Sequence, residues 1–242
     1  MRILITNDDG IQASQLGPLV KWARKLGEVV VAAPKVEQSG KSHGIEIHKP
    51  FEVKQFELLP GVRAYAVDST PADCIRFAIL GLHETFDLVI SGVNRGLNIG
   101  RDIMYSGTVS AVMEAANLGV QAVAISTDPA VYECAVERLD EVLAFFREHQ
   151  LLKLHDIYNV NIPVQVRGFR ITRQGGPYYS DDFIPQENNI VLPRGKDVFE
   201  PSGSMDIDTD AVLLGGYISV TPLTLERTDM RIFETLHQLN EN

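Results

Sequence analysis

A chain of 242 residues, 45% hydrophobic and 22% charged, is long enough to bury a sizeable core as one large domain or one domain with an appendage. Its formal net charge of −10, from 22 basic and 32 acidic residues, provides no basic footprint for a nucleic-acid polymer; a small anion would need a metal or oriented backbone amides to hold it. No apolar run is long enough to span a bilayer and no leader-like segment precedes the first strand, so no membrane association is expected and the expected compartment is the cytoplasm.

The first element is Ile3-Leu4-Ile5-Thr6, a short apolar run that reads as a strand buried on both faces. It stops at Asn7-Asp8-Asp9-Gly10. Open α/β sheets place their ligands at the carboxyl ends of such strands. Two adjacent carboxylates repel unless a cation sits between them or one stays protonated. The pair is therefore either half of a divalent metal site or a solvated Asp-Asp-Gly turn. Residues 14–26 carry apolar side chains at helical spacing, with Gly27 as a stop, and residues 28–33 are a second buried strand ended by Pro34. Strand, helix and strand make a βαβ unit, so the loop 35–40, containing Ser39, is expected beside Asp8 and Asp9.

Alternation over residues 45–56 suggests a hairpin or edge strands, and residues 65–68 a short strand. Thr70 and Pro71 open a helix running through Leu80. Residues 87–91 form the third clear buried strand. A helix follows over residues 108–118, a strand over 122–126, a long amphipathic helix over 131–149 and a strand over 158–162. Cys74 and Cys134, both in helix-like sequence among apolar neighbours, read as reduced core residues. After Pro163, glycines, prolines and tyrosines crowd the chain, with short β-prone runs at 169–172 and 190–192. Helical turns at 210–214, a strand at 217–221 and a helix at 230–239 complete it. The fold expected is α/β: a Rossmann-like, doubly wound, mostly parallel sheet over residues 1–163. Residues 164–242 form a β-rich extension of the same domain that serves oligomerisation. Asp181-Asp182 reads as a loop feature, and Asp206, Asp208 and Asp210 as a turn or helix cap, because no calcium-loop pattern accompanies them.

Two segments after the third strand carry further chemistry. In Ser91-Gly92-Val93-Asn94-Arg95-Gly96-Leu97-Asn98-Ile99-Gly100, Gly or Asn occupies every even position, which lets backbone approach a ligand and directs amide side chains toward it. Such an Asn, here Asn94 or Asn98, offers a neutral oxygen to a hard cation and NH₂ donors to a phosphate; the other reading is a glycine-rich connector with Asn filling turn positions. Ser106, Gly107 and Thr108 open a helix, where hydroxyls and free N–H groups can hold an anion or simply cap the helix. Neither a Walker A loop nor a dinucleotide fingerprint is present.

With these motifs in view the chain resembles the SurE family, the stationary-phase survival-protein nucleotidases. The resemblance is carried by residues 3–11, Ala33-Pro34 with Gln38-Ser39-Gly40, residues 70–74, 91–100 and 105–109, and Ser219-Val220-Thr221-Pro222-Leu223. Gln15 and Ser69 depart from it, standing where glycine is usual. It implies a metal-dependent phosphatase of nucleoside 5′- and 3′-monophosphates, with the metal ligands falling on Asp8, Asp9, Ser39 and Asn94. The expected mechanism uses a metal-activated water. One Mg²⁺ or Mn²⁺ per subunit would neutralise phosphoryl charge, Asp8 or Asp9 would act on the water, and Asn98, Ser106, Gly107 and Thr108 would hold the phosphate. A homodimer or homotetramer is expected. Two other readings are a phosphatase passing through an aspartyl-phosphate, and a non-catalytic nucleotide-binding regulator; the former usually separates its two aspartates by one residue, whereas Asp8 and Asp9 are adjacent.

Overall fold

The computed structural model describes residues 1–241. Among these residues nine strands form one sheet, and seven α-helices flank it or lie in the C-terminal region. The strands are β1 (Arg2–Thr6), β2 (Glu28–Pro34), β3 (Val53–Gln55), β4 (Arg63–Val67), β5 (Leu88–Arg95), β6 (Ala122–Thr127), β7 (Ile157–Ile162), β8 (Phe169–Ile171) and β11 (Ile218–Pro222). Their order is β3-β4-β2-β1-β5-β6-β7-β11-β8. The run from β4 to β7 is parallel throughout, while β3 and β11 join antiparallel. A separate hairpin pairs β9 (Tyr179–Pro185) with β10 (Val191–Asp197).

The helices are α1 (Leu16–Ala23), α2 (Pro71–Arg76), α3 (Gly107–Asn117), α4 (Leu139–Glu148), α5 (Leu151–Leu154), α6 (Asp208–Leu213) and α7 (Met230–Leu236). Both sheet faces are covered, because alternate residues of each strand feed opposite cores. Ile3, Ile5, Val31 and Ile90 pack with Leu16, Leu19 and Val142 of α1 and α4. Leu4, Val30 and Val89 pack with Ile75, Val109 and Val112 of α2 and α3 on the other face. From β1 the chain winds outward to β2 and β4, then returns to β5 and winds the other way to β7. The reversal lies between β1 and β5, so the crevice expected for a ligand opens where Asp8-Asp9 and Asn94 emerge.

Several expected elements are corrected. Residues 131–149 do not make one helix: a 3₁₀ segment covers Pro129–Arg138, capped by the Asp128 carboxylate, and α4 begins only at Leu139. In that tighter segment Tyr132 and Ala135 supply the buried face. Cys134 is therefore exposed rather than in the core, while Cys74 is fully buried and burial pushes its thiol up. Of residues 45–56 only Val53–Gln55 pair as a strand, at the sheet edge. The helix opened by Thr70 ends at Arg76 and continues as a π turn over Phe77–Gly81. Asp181 and Asp182 lie in β9, where Asp182 pairs with Lys196 across the hairpin, not in a loop. Asp208 and Asp210 accept backbone N–H groups, Asp208 from Gly100, Gly175 and Thr209, Asp210 from Ser202 and Gly203. Among the described residues no helix is long and apolar enough to cross a membrane.

Candidate active site

Three loops and one helix end meet at the switch point. The turn after β1 is shaped by Asn7, which donates from Nδ2 to the Gly10 carbonyl at 2.9 Å and accepts from the Gly10 N–H at 3.1 Å. Gly10 has φ +98°, a backbone that only glycine adopts without strain, and lets the chain pass the Val36-Glu37 backbone. The β2 loop is tied to this turn: Ile11 N–H donates to Pro34 O at 2.7 Å and Gln38 N–H to Asp8 O at 2.8 Å. Asp8 is 4% exposed and Asp9 half-buried.

The α3 N-terminus presses on Asp8. A Cβ added to Gly107 would lie 2.9 Å from the Asp8 Cβ and 3.1 Å from its Oδ2. The buried Thr108 hydroxyl donates to Asp8 Oδ1. Ser106 is the N-cap, its Oγ accepting the Val109 N–H at 3.0 Å. The Ser106, Gly107 and Thr108 segment thus lies against the carboxylate pair, with first-turn N–H groups that have no partner within the helix.

Burial dominates the electrostatics. It pushes the Asp8 carboxyl up against the opposing hydrogen bond from Thr108. Asp9 is pushed up to about 6, by burial first and by the neighbouring Asp8 second. Glu37, which sequence reasoning passed over, adds negative charge toward both. It also accepts the Ser39 hydroxyl at 2.8 Å. Tyr132, likewise unforeseen, is buried near enough to Asp9 for that carboxylate to help raise its phenol, after burial itself.

Asn94 is the penultimate residue of β5, which extends past Ser91 to Arg95, so this ligand candidate sits near a strand terminus rather than in a loop. Its Nδ2 donates to the Gly96 carbonyl at 2.7 Å. A carbonyl only accepts, which fixes the amide orientation and leaves Asn94 Oδ1 free as an oxygen donor. Arg95 N–H donates to Asp9 Oδ2 at 3.2 Å and so joins β5 to the carboxylate turn. Asn98 is tied to β6 and β7. Its Nδ2 donates to Ser126 Oγ at 2.7 Å, and its backbone is held by Asn159 and Asn161.

Among the described residues no group of three or more His, Cys, Asp or Glu gathers as a metal site. Any cation here must complete its shell with neutral oxygens, and Ser39 and Asn94 are of that kind. Ser39 is exposed and its hydroxyl is turned to Glu37; turned instead toward Asp8, Asp9 and Asn94 it would complete an all-oxygen donor set of the kind that suits a hard divalent cation. A cation would also relieve the cost of burying adjacent carboxylates.

The sequence profile of the family described as Survival protein SurE matches residues 3–181. A protein named 5′-nucleotidase SurE from Syntrophotalea carbinolica is 40% identical, covering 98% of this chain and 96% of that protein. One of the same name from Clostridium beijerinckii is 36% identical over 100% of both. The crystal structure of the SurE protein from Aquifex aeolicus superposes with TM-score 0.74 at 28% identity, covering 99% of this chain and 100% of that one.

Proposed function

The chain belongs to the SurE family, and from that premise we propose that it is a divalent-metal-dependent nucleotidase. Its substrates in this reading are nucleoside 5′- and 3′-monophosphates, hydrolysed to nucleoside and phosphate. The 5′-nucleotidase activity is carried by the names of full-length relatives. The 3′ activity and the metal are this reading's own extension. The observation that carries it is the contact between Asp8, at the end of β1, and the N-terminus of α3. An anion-binding helix end and a carboxylate pair have opposite ligand preferences, and a metal phosphate complex satisfies both.

Asp8, Asp9, Asn94 Oδ1 and Ser39 Oγ would hold a Mg²⁺ or Mn²⁺ ion. A cation so held supplies neutralisation of phosphoryl charge and a lowered pKa for water. The Gly107 N–H and the Ser106 hydroxyl bind the phosphate oxygens at the positive end of α3, and Thr108, whose hydroxyl and N–H both reach Asp8, ties that phosphate site to the carboxylate. Asp8 Oδ1 is already engaged by Thr108, and Asp9 Oδ2 accepts from Arg95. Asp8 Oδ2 and Asp9 Oδ1 are the oxygens left, and one of these two carboxylates takes the proton of the attacking water, held in line with the leaving oxygen. Asn98 Nδ2 gives one of its two hydrogens to Ser126 Oγ, and the second is the one this reading assigns to a phosphate oxygen.

Self-association is part of the reading. The C-terminal region exposes Phe183, Ile190, Val191 and Leu192 around the hairpin, and Ile232, Phe233 and Leu236 on α7. Apolar surface of this kind favours a dimer or tetramer, which light scattering on the purified protein would resolve.

The test of the activity is phosphate release from a panel of 5′- and 3′-nucleoside monophosphates. It is measured as purified, after chelation, and after Mg²⁺ or Mn²⁺ is restored. Turnover should vanish with chelator and return with metal; turnover indifferent to chelator would overturn the metal reading. Tight nucleotide binding without phosphate release would favour the non-catalytic regulator.

A further inference from the structure

Strands β6 and β7 run through the buried centre of the sheet, yet they carry Ser126, Asn159 and Asn161, each 0% exposed. Buried carboxamides destabilise a core unless they are paired. Here the pairing is with one residue outside the sheet, and of the two carboxamides only Asn159 Oδ1 is left without a partner. Asn161 Oδ1 accepts the Asn98 N–H at 2.7 Å, and Asn161 Nδ2 donates to the Asn98 carbonyl at 2.9 Å. One side chain thus engages both backbone groups of Asn98, much as a neighbouring strand would. Asn159 Nδ2 donates to the same carbonyl at 2.8 Å, and Ser126 Oγ accepts the Asn98 side chain at 2.7 Å.

These bonds sit in the middle of the segment that carries Asn94. On one side Gly96 N–H donates to Thr127 O at 2.9 Å, and on the other Gly100 N–H donates to Asp208 Oδ2 at 2.9 Å. Asn98 is the point between them, and it has no regular secondary structure to hold it. With four hydrogen bonds to side chains of β6 and β7 it is anchored to the most buried part of the sheet.

We propose that Asn161, assisted by Asn159, is a positioning residue. By clamping the Asn98 backbone it fixes the 94–100 segment so that Asn94 Oδ1 faces the cation and Asn98 faces the phosphate. This rests on the metal-dependent nucleotidase reading above. It assigns a role in the site to two side chains that touch neither metal nor substrate.

The test compares Asn161→Ala with Thr172→Ala, which breaks the buried hydroxyl pair at 2.7 Å between Thr172, just after β8, and Thr221 of β11. Mn²⁺ binding is titrated by electron paramagnetic resonance on chelated protein, and KM and kcat are measured on reloaded protein. Loss of an oriented outer partner typically weakens metal binding about 10–100-fold. Asn161→Ala should therefore raise the Mn²⁺ Kd by about 10-fold or more, with KM rising as well. Thr172→Ala should lower Tm and leave both constants alone. Should Asn161→Ala fail to fold, Asn159→Ala removes a single bond and should shift both constants the same way by a few-fold. A variant at either asparagine that loses Tm while keeping wild-type Kd and KM would overturn the positioning role. Wild-type protein that binds no Mn²⁺ would instead overturn the functional reading, and this role with it.

Discussion

Replacing Gly107 with alanine tests whether the α3 N-terminus and Asp8 form one working site. The backbone at Gly107 needs no positive φ, so alanine meets no conformational penalty there. The obstacle is space: its Cβ would stand 2.9 Å from Asp8 Cβ, 3.1 Å from Asp8 Oδ2 and 3.1 Å from Pro71 Cγ. The first of these is about 0.6 Å inside the optimal carbon–carbon separation, so α3 or the Asp8 turn must move by roughly that much. Overpacking of this kind costs about 1–3 kcal/mol, partly offset by up to about 1 kcal/mol of better helix propensity. A net loss near 1 kcal/mol lowers Tm by about 2–4 °C in a chain of this size. Activity should fall much further. Misplacement by 1 Å can cost about 100-fold, so a shift of this size should cost about 10-fold or more in kcat/KM. Thermal melts and phosphate-release kinetics on the same preparation separate the two effects. A Gly107→Ala protein with wild-type kcat/KM would refute the idea that this helix end and Asp8 act on the same phosphate.

Asp8→Asn should abolish metal-restored turnover while leaving Tm equal or raised, because it removes a charge that burial already disfavours; full activity in that variant would remove Asp8 from the ligand set. Asp9 titrates near 6 in the folded chain against 3.8 as a free side chain. Between those values the folded state holds more protons than the unfolded one, so stability of the chelated protein should fall as pH rises through this window and level off above it. Asp9→Asn should flatten that part of the urea-unfolding profile, and an unchanged slope would mean that Asp9 is not the group responsible. His43 Nε2 lies 2.8 Å from Glu114 Oε2, and Arg76 holds the other carboxylate oxygen at 2.9 Å. The His43 hydrogen bond leads in keeping the Glu114 carboxyl below its usual range. His43→Ala should cost about 1–3 kcal/mol and free the loop that carries Ser39 from α3, read as a lowered Tm and faster proteolysis within residues 35–44.

Local pattern decided a good deal of this protein. Ile3 to Ile5, Val29 to Ala33 and Leu88 to Ile90 read as doubly buried strands, because a parallel sheet between two helical layers needs apolar residues on both faces. The Asp8-Asp9 turn and the glycine- and asparagine-rich run after Ser91 were legible as candidate chemistry, since neither composition serves a core. Where a segment lacks a clean period, sequence failed. The 3₁₀ stretch Pro129–Arg138 imitates a helix in composition, and Cys134 was misplaced with it.

Long-range geometry decided the rest. Only the strand order places the reversal between β1 and β5, and so brings the end of β5 and the start of α3 against the Asp8-Asp9 turn. Glu37 and Tyr132 gain meaning from the carboxylates they approach, which no spacing along the chain encodes. Asn159 and Asn161 left a faint trace in the sequence, two amides alternating in an apolar strand, but their partner lies about sixty residues upstream. The physical reason is common to all of these. Periodicity records which face of an element is buried, whereas a site depends on which distant backbone groups that burial brings within hydrogen-bonding distance.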